Sequence, residues 1–127
     1  MAAVKPQRPR ILIVEDEWIL ADTLAADLAD IGYDIAGPVA CVATALALLE
    51  QETFSAAVLD VSLGLEQKSF PVALALAERG IPFLFMTGYQ TSDLPGEFAQ
   101  KIVIGKPVLL AVLGRHLAEL LSRHAPV

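Results

Sequence analysis

Short apolar, β-branched runs alternate along the chain with longer stretches whose apolar residues recur at helical spacing. The runs are Ile11–Val14, Ala57–Val61, Ile81–Met86 and Ile102–Ile104. A weaker one, Tyr33–Val39, is interrupted by Gly37 and Pro38 and reads as an edge strand. Between them, Trp18–Ile31 places Leu20, Leu24, Leu28 and Ile31 on one stripe, and Val42–Gln51 is rich in Ala and Leu. Phe70–Glu78 has Ser69 as its N-cap, Pro71 in its first turn and Gly80 beyond its end. The last stretch, Val108–Arg123, is apolar on more than one side. Strands alternating with helices at this spacing predict an α/β fold, a five-stranded parallel sheet with right-handed crossovers. One segment breaks the pattern. Gly88–Gln100 contains Thr91, Ser92, Asp93, Pro95 and Gly96, poor helix material, so the helix expected between the fourth and fifth strands is short, displaced or missing.

Composition narrows the class. A chain of 127 residues has room for one domain and one core, and 55% hydrophobic against 19% charged residues excludes intrinsic disorder. The net charge of −6 argues against a nucleic-acid backbone or an anionic membrane as partner. A single cysteine, Cys41, excludes a disulfide scaffold and a thiolate metal cluster, and suits a reducing compartment, most simply the cytoplasm. The longest near-apolar run, Val39–Leu49, is far short of the roughly 20 residues that span a bilayer. Residues 1–9 read as a disordered lead-in without signal-peptide character, residues 10–122 as the domain and 123–127 as a tail.

In an open parallel sheet, ligands bind beyond the carboxyl ends of the strands, so the residues that end each strand carry the chemistry. The first strand ends in Glu15-Asp16-Glu17, the third in Asp60, the fourth in Thr87 and the fifth in Lys106-Pro107. Singly, each has a plainer reading. The acids can favour a following helix N-terminus, Asp60 can be a turn residue, and Pro107 can open the last helix. Together they converge on one sheet edge. Asp16 and Asp60 would crowd negative charge that a hard divalent cation compensates, and Mg²⁺ prefers such oxygen ligands. Lys106 and the Thr87 hydroxyl would then hold phosphate oxygens, the set that phosphoryl transfer to an aspartate requires.

Four segments, Ile11-Leu12-Ile13-Val14-Glu15-Asp16-Glu17, Ala57-Val58-Leu59-Asp60-Val61, Phe85-Met86-Thr87-Gly88-Tyr89 and Gly105-Lys106-Pro107, occur in the order found in receiver domains of two-component response regulators, which the sequence resembles from Arg10 to Leu121. The resemblance implies a doubly wound, flavodoxin-like sheet of order 2-1-3-4-5, with Asp60 as phosphoacceptor and Asp16, supported by Glu15, as Mg²⁺ ligand. Ser62 would add its backbone carbonyl to the metal, Thr87 and Lys106 would bind the phosphoryl group, and Lys106-Pro107 would be a cis peptide. The implied partners are a sensor histidine kinase and a downstream protein. Two departures concern the switch. Most receivers carry Tyr or Phe where Val103 stands. The Phe-Met-Thr-Gly-Tyr segment is similar to the Phe-Ala-Thr-Gly-type signature of an α-proteobacterial subgroup with many stand-alone members, in which Tyr89 could be the mobile aromatic.

The remaining candidates read more plainly. His116 and His124 lack an acidic partner at ligand spacing and read as a solvated pair, Cys41 as a small core residue, and Trp18 as packing near the pocket rim. The last helix is mainly core, but Val108, Leu109 and Val112 widen its stripe into a candidate surface for a partner or a second copy of the chain. With so little chain beyond that helix, output is expected through protein contacts. The alternatives are a degenerate receiver working as an interaction module and a receiver piece of a hybrid kinase. An aspartyl phosphohydrolase would need an acid where Ser62 stands, and a flavodoxin-like carrier would need a phosphate loop that the chain lacks.

Overall fold

The computed structural model describes residues 8–64, 67–88 and 94–123. Their elements run β1 (Arg10–Val14), α1 (Trp18–Asp30), β2 (Asp34–Val39), α2 (Val42–Gln51), β3 (Ala56–Asp60), β4 (Ser62–Leu63), β5 (Gln67–Lys68), α3 (Phe70–Glu78), β6 (Phe83–Thr87), a 3₁₀ turn (Gly96–Phe98), β7 (Val103–Gly105) and α4 (Leu110–Arg123). The main sheet is parallel throughout, in the order β2-β1-β3-β6-β7. Renumbered by its own five strands, this is the 2-1-3-4-5 order expected.

The central strands are buried along nearly their whole length, which is why they read as unbroken apolar runs rather than alternating ones. Their side chains still divide by parity between two layers. Leu12, Val14, Ala57, Leu59, Phe83 and Phe85 meet α2 and α3 on one face, where Ala45, Leu49, Val72 and Leu76 are buried. Ile11, Ile13, Val58, Leu84 and Met86 meet α1 and α4 on the other, against Leu24, Leu28, Leu113 and Leu117.

β2 is an edge strand, as its Gly37-Pro38 interruption indicates. There the pairing with β1 shifts register between Leu12 and Val14, and the Gly37–Pro38 peptide is cis, which was not foreseen. Gly37 has φ +91°, and a Cβ on it would lie 2.8 Å from the Val39 nitrogen and 3.0 Å from the Ile13 carbonyl oxygen. Only glycine fits there.

Two findings differ from the sequence pattern. β4 and β5 form a small antiparallel hairpin beside the main sheet, pairing Ser62 with Lys68 and Leu63 with Gln67. Ser69 does precede α3, but its backbone is not extended and its hydroxyl is buried without a hydrogen-bond partner among the described residues. Its carbonyl, rather than its side chain, begins the helix by accepting from Val72 and Ala73. Between β6 and β7 the described residues hold only the 3₁₀ turn, in place of a full helix. Phe98 closes that gap. It is 2% exposed and its ring stacks on Phe70 and meets Phe83 and Phe85 edge-on. α4 begins at Leu110, two residues later than the pattern suggests, and stays helical through Arg123. No described helix is long and apolar enough to cross a membrane.

Candidate functional site

Parallel strands put all their carboxyl ends on one side of the sheet, and there the strand-end residues converge. A cavity of about 600 Å³ is lined by Glu15, Asp16, Glu17, Asp60, Ser62, Leu63, Gly88 and Lys106. β1 carries the acidic triplet, β3 ends at Asp60, β6 delivers Gly88 just past its end, and β7 delivers Lys106 just past its own. Lys106 is steered by its backbone N–H, which donates to the Thr87 carbonyl across the end of the β6–β7 pair at 2.9 Å. The Lys106–Pro107 peptide is cis.

The Lys106 ammonium is the electrostatic centre. Nζ donates to Asp60 Oδ2 at 2.8 Å and to Glu15 Oε1 at 3.2 Å. Asp60 and Glu15 are only 4% and 2% exposed, so both carboxylates face a medium that penalises bare charge. Burial raises the Glu15 carboxyl to about 7, and the hydrogen bond and negative charge of Asp60 push in the same direction against the opposing pull of Lys106. Burial works to lower the Lys106 ammonium, but Asp60 first and Glu15 second outweigh it and the group is raised. Glu15 Oε1 also accepts from the Glu17 backbone N–H at 3.1 Å, and the Ser62 N–H donates to Asp60 Oδ1 at 3.3 Å.

One carboxylate oxygen each from Glu15, Asp16 and Asp60 lies within 4.8 Å of the others. Glu15 Oε2 is buried and makes no hydrogen bond among the described residues, but the Lys106 ammonium lies 3.2 Å from it. An all-oxygen set of two buried carboxylates and one exposed one, Asp16, fits a hard divalent cation that keeps part of its water. These three residues could hold such a cation, which when bound would offset their crowded negative charge.

The expected site residues therefore come together, with differences in detail. Thr87 is buried at the end of β6, next to the cavity-lining Gly88. Val103 lies away from the cavity, half-buried, paired with Phe85 across β6 and β7. Tyr89 and His124 lie outside the described residues. Three peripheral readings are corrected. Cys41 is not in the core: it is the N-cap residue of α2, and its Sγ lies 3.2 Å from the Thr44 hydroxyl, whose hydrogen bond lowers the thiol. Trp18 does not pack at the rim; it opens α1 71% exposed. His116 is not fully solvated, because α4 turns its Nδ1 inward, where it is buried without a hydrogen-bond partner among the described residues. The residues missed are Leu63 and Gly64, which follow the expected Ser62 at the start of the β4–β5 hairpin. The Ser62-Leu63-Gly64 stretch, ending in a turn-forming glycine, was the signal for them.

Neither a protein-family model nor a curated protein matches the chain. Solved structures do. SdrG from Sphingomonas melonis Fr1 is 41% identical, with a TM-score of 0.79 over 90% of this chain and 97% of that one. SdrG in its BeF3-activated conformation, from Pseudomonas melonis Fr1, is 42% identical with a TM-score of 0.75, over 88% of this chain and 95% of that one. A CheY-like response regulator receiver domain protein from Methanospirillum hungatei JF-1 is 26% identical, with a TM-score of 0.83 over 93% and 97% of the two chains. With this sheet order, this acidic pocket and these neighbours, the chain belongs to the receiver domains of two-component response regulators.

Proposed function

We propose that this protein is a single-domain receiver whose Asp60 takes a phosphoryl group from the phosphohistidine of a sensor histidine kinase, with Mg²⁺ held by Glu15, Asp16 and Asp60. The observation that carries the reading is the 2.8 Å contact between Lys106 Nζ and Asp60 Oδ2 at the base of the acidic cavity. An Asp60 oxygen attacks phosphorus, the P–N bond breaks, and its electron pair returns to the imidazole. Lys106 pairs with Asp60 before transfer and is placed to follow the negative charge onto a phosphoryl oxygen afterwards. The Thr87 hydroxyl and the Ser62 carbonyl are assigned to a second phosphoryl oxygen and to the metal. Charge arriving at the ends of β6 and β7 then alters the surface around them, with Val103 and Tyr89 as the switch positions. That surface would engage a downstream protein or a second copy of the chain through α4. The existence of a BeF3-activated conformation of SdrG supports the reading, since beryllofluoride imitates an acyl phosphate. The proposed location is the cytoplasm, where kinase and Mg²⁺ are both available.

The test is a beryllofluoride titration in Mg²⁺ followed by amide NMR. Saturable shifts at Asp60, Thr87 and Lys106 are expected in the wild type and none in Asp60→Asn. A wild type that responds to neither Mg²⁺ nor beryllofluoride overturns the proposal.

A further inference from the structure

The β4–β5 hairpin is built against the acidic pocket at one point of close approach. An ideal Cβ placed on Gly64 would lie 3.1 Å from Asp16 Oδ2, and that carboxylate supplies both of its neighbours within 4 Å. Gly64 has no positive φ, so its backbone would accept any residue; what the position lacks is room beside Asp16.

The hairpin cannot simply recoil from an added methyl group. Its first strand is tied to the phosphoacceptor by the Ser62 N–H to Asp60 Oδ1 at 3.3 Å, and its two strands are clasped by Lys68 Nζ donating to the Ser62 hydroxyl at 2.8 Å. At its far end the Ser69 N–H donates to the Val61 carbonyl at 3.0 Å, and Val61 in turn donates to Met86 in β6 at 2.9 Å. Gln67 adds a link to the start of α2, its Oε1 accepting from the Val42 N–H at 3.5 Å. Asp16 is exposed and is the freer partner. A side chain at residue 64 would therefore move the carboxylate.

We propose that Gly64, held by this pinned hairpin, is a positioning residue that sets the pocket's preference for Mg²⁺ over larger divalent cations. The inference rests on the divalent-cation reading of the pocket given above. Mg²⁺ demands near-octahedral oxygen geometry at about 2.0–2.1 Å, whereas Ca²⁺ accepts about 2.3–2.6 Å and irregular arrangements. A displacement of a few tenths of an ångström at one carboxylate falls between those tolerances. It penalises the small ion and spares the large one.

The experiment is calorimetric titration of Mg²⁺ and of Ca²⁺ into the wild type, Gly64→Ala and Gly64→Val, with folding checked by circular dichroism and urea melts. Gly64→Ala should weaken Mg²⁺ about tenfold, within the range seen for residues that orient metal ligands. Its Ca²⁺ affinity should change by less than about twofold, because that ion tolerates the shifted ligand. Gly64→Val should widen the gap; if it misfolds, the Ala variant decides alone. Equal losses for both cations, or an unchanged Mg²⁺ affinity in Gly64→Ala, would overturn the role of Gly64 while leaving the phosphoacceptor reading intact. A wild type that binds no divalent cation would overturn both.

Discussion

Glu15 shows what burial does to a carboxylate that sits beside a second one, the proposed phosphoacceptor Asp60. Its ordinary value is 4.5 and in the folded protein it is raised to about 7, so between these values the folded chain holds a proton that the unfolded chain has lost. The contribution of this group to stability is therefore greatest at low pH and falls as pH rises from about 4.5 to about 7. In metal-free protein the urea midpoint should show this slope, and Glu15→Gln should remove it. Binding of Mg²⁺ near pH 6 should release a proton from the wild type and fewer from Glu15→Gln, which calorimetry in two buffers of different ionisation enthalpy resolves. Lys106 is the complementary case. Replacing it by Met leaves two buried carboxylates without their cation, and should cost about 1–3 kcal/mol in a urea melt at neutral pH. The cost should shrink near pH 5, where Glu15 takes up a proton. At this scale the sequence was informative for a simple reason. Asp16, Asp60, Thr87 and Lys106 sit at strand ends, and parallel strands bring those ends together whatever the loops do. Cys41 and His116 were misread because nothing in a single sequence says which way one cap residue or one helix side points.

Elements were legible in proportion to their length and periodicity. The five strands and four helices of the main fold follow from apolar runs and 3.6-residue stripes, with boundaries moving by a residue or two. The β4–β5 hairpin left only the turn glycine Gly64 as a signal, because two-residue strands have no period to read. The weakness of Gly88–Gln100 as a helix was visible, but not what replaces it. Phe98 is three residues after Pro95, in a stretch with no apolar repeat, yet its ring completes a cluster with Phe70, Phe83 and Phe85. Phe98→Ala should destabilise the protein by about 3–5 kcal/mol, the usual cost of emptying a buried phenylalanine site, measured by urea unfolding. Phe98→Leu should recover part of that loss. An effect below about 1 kcal/mol would mean that the 3₁₀ turn is not an anchor.

The described residues bury the sheet on both faces and leave several large apolar side chains outside, one of them beside the β7 end. Leu109 is 64% exposed, and it lines a cleft with Val103, Pro107, Val112 and His116. If this side of α4 receives the proposed partner or second copy, Leu109→Asp should abolish the association in sedimentation or pull-down measurements. It should change folding stability by no more than about 0.5 kcal/mol, because the side chain is already in water. The two core layers are also chemically unlike. All five phenylalanines of the chain, Phe54, Phe70, Phe83, Phe85 and Phe98, belong to the layer shared with α2 and α3, and the layer under α1 and α4 holds none. Nature has thus labelled one face of this sheet and left the other blank. Fluorophenylalanine incorporated throughout the chain would produce five ¹⁹F resonances, all on the face carrying the 3₁₀ turn. A signal that crosses from the pocket to α4 would have to pass the sheet without disturbing them, whereas one that rearranges the β6–β7 connection would shift Phe85 and Phe98 first.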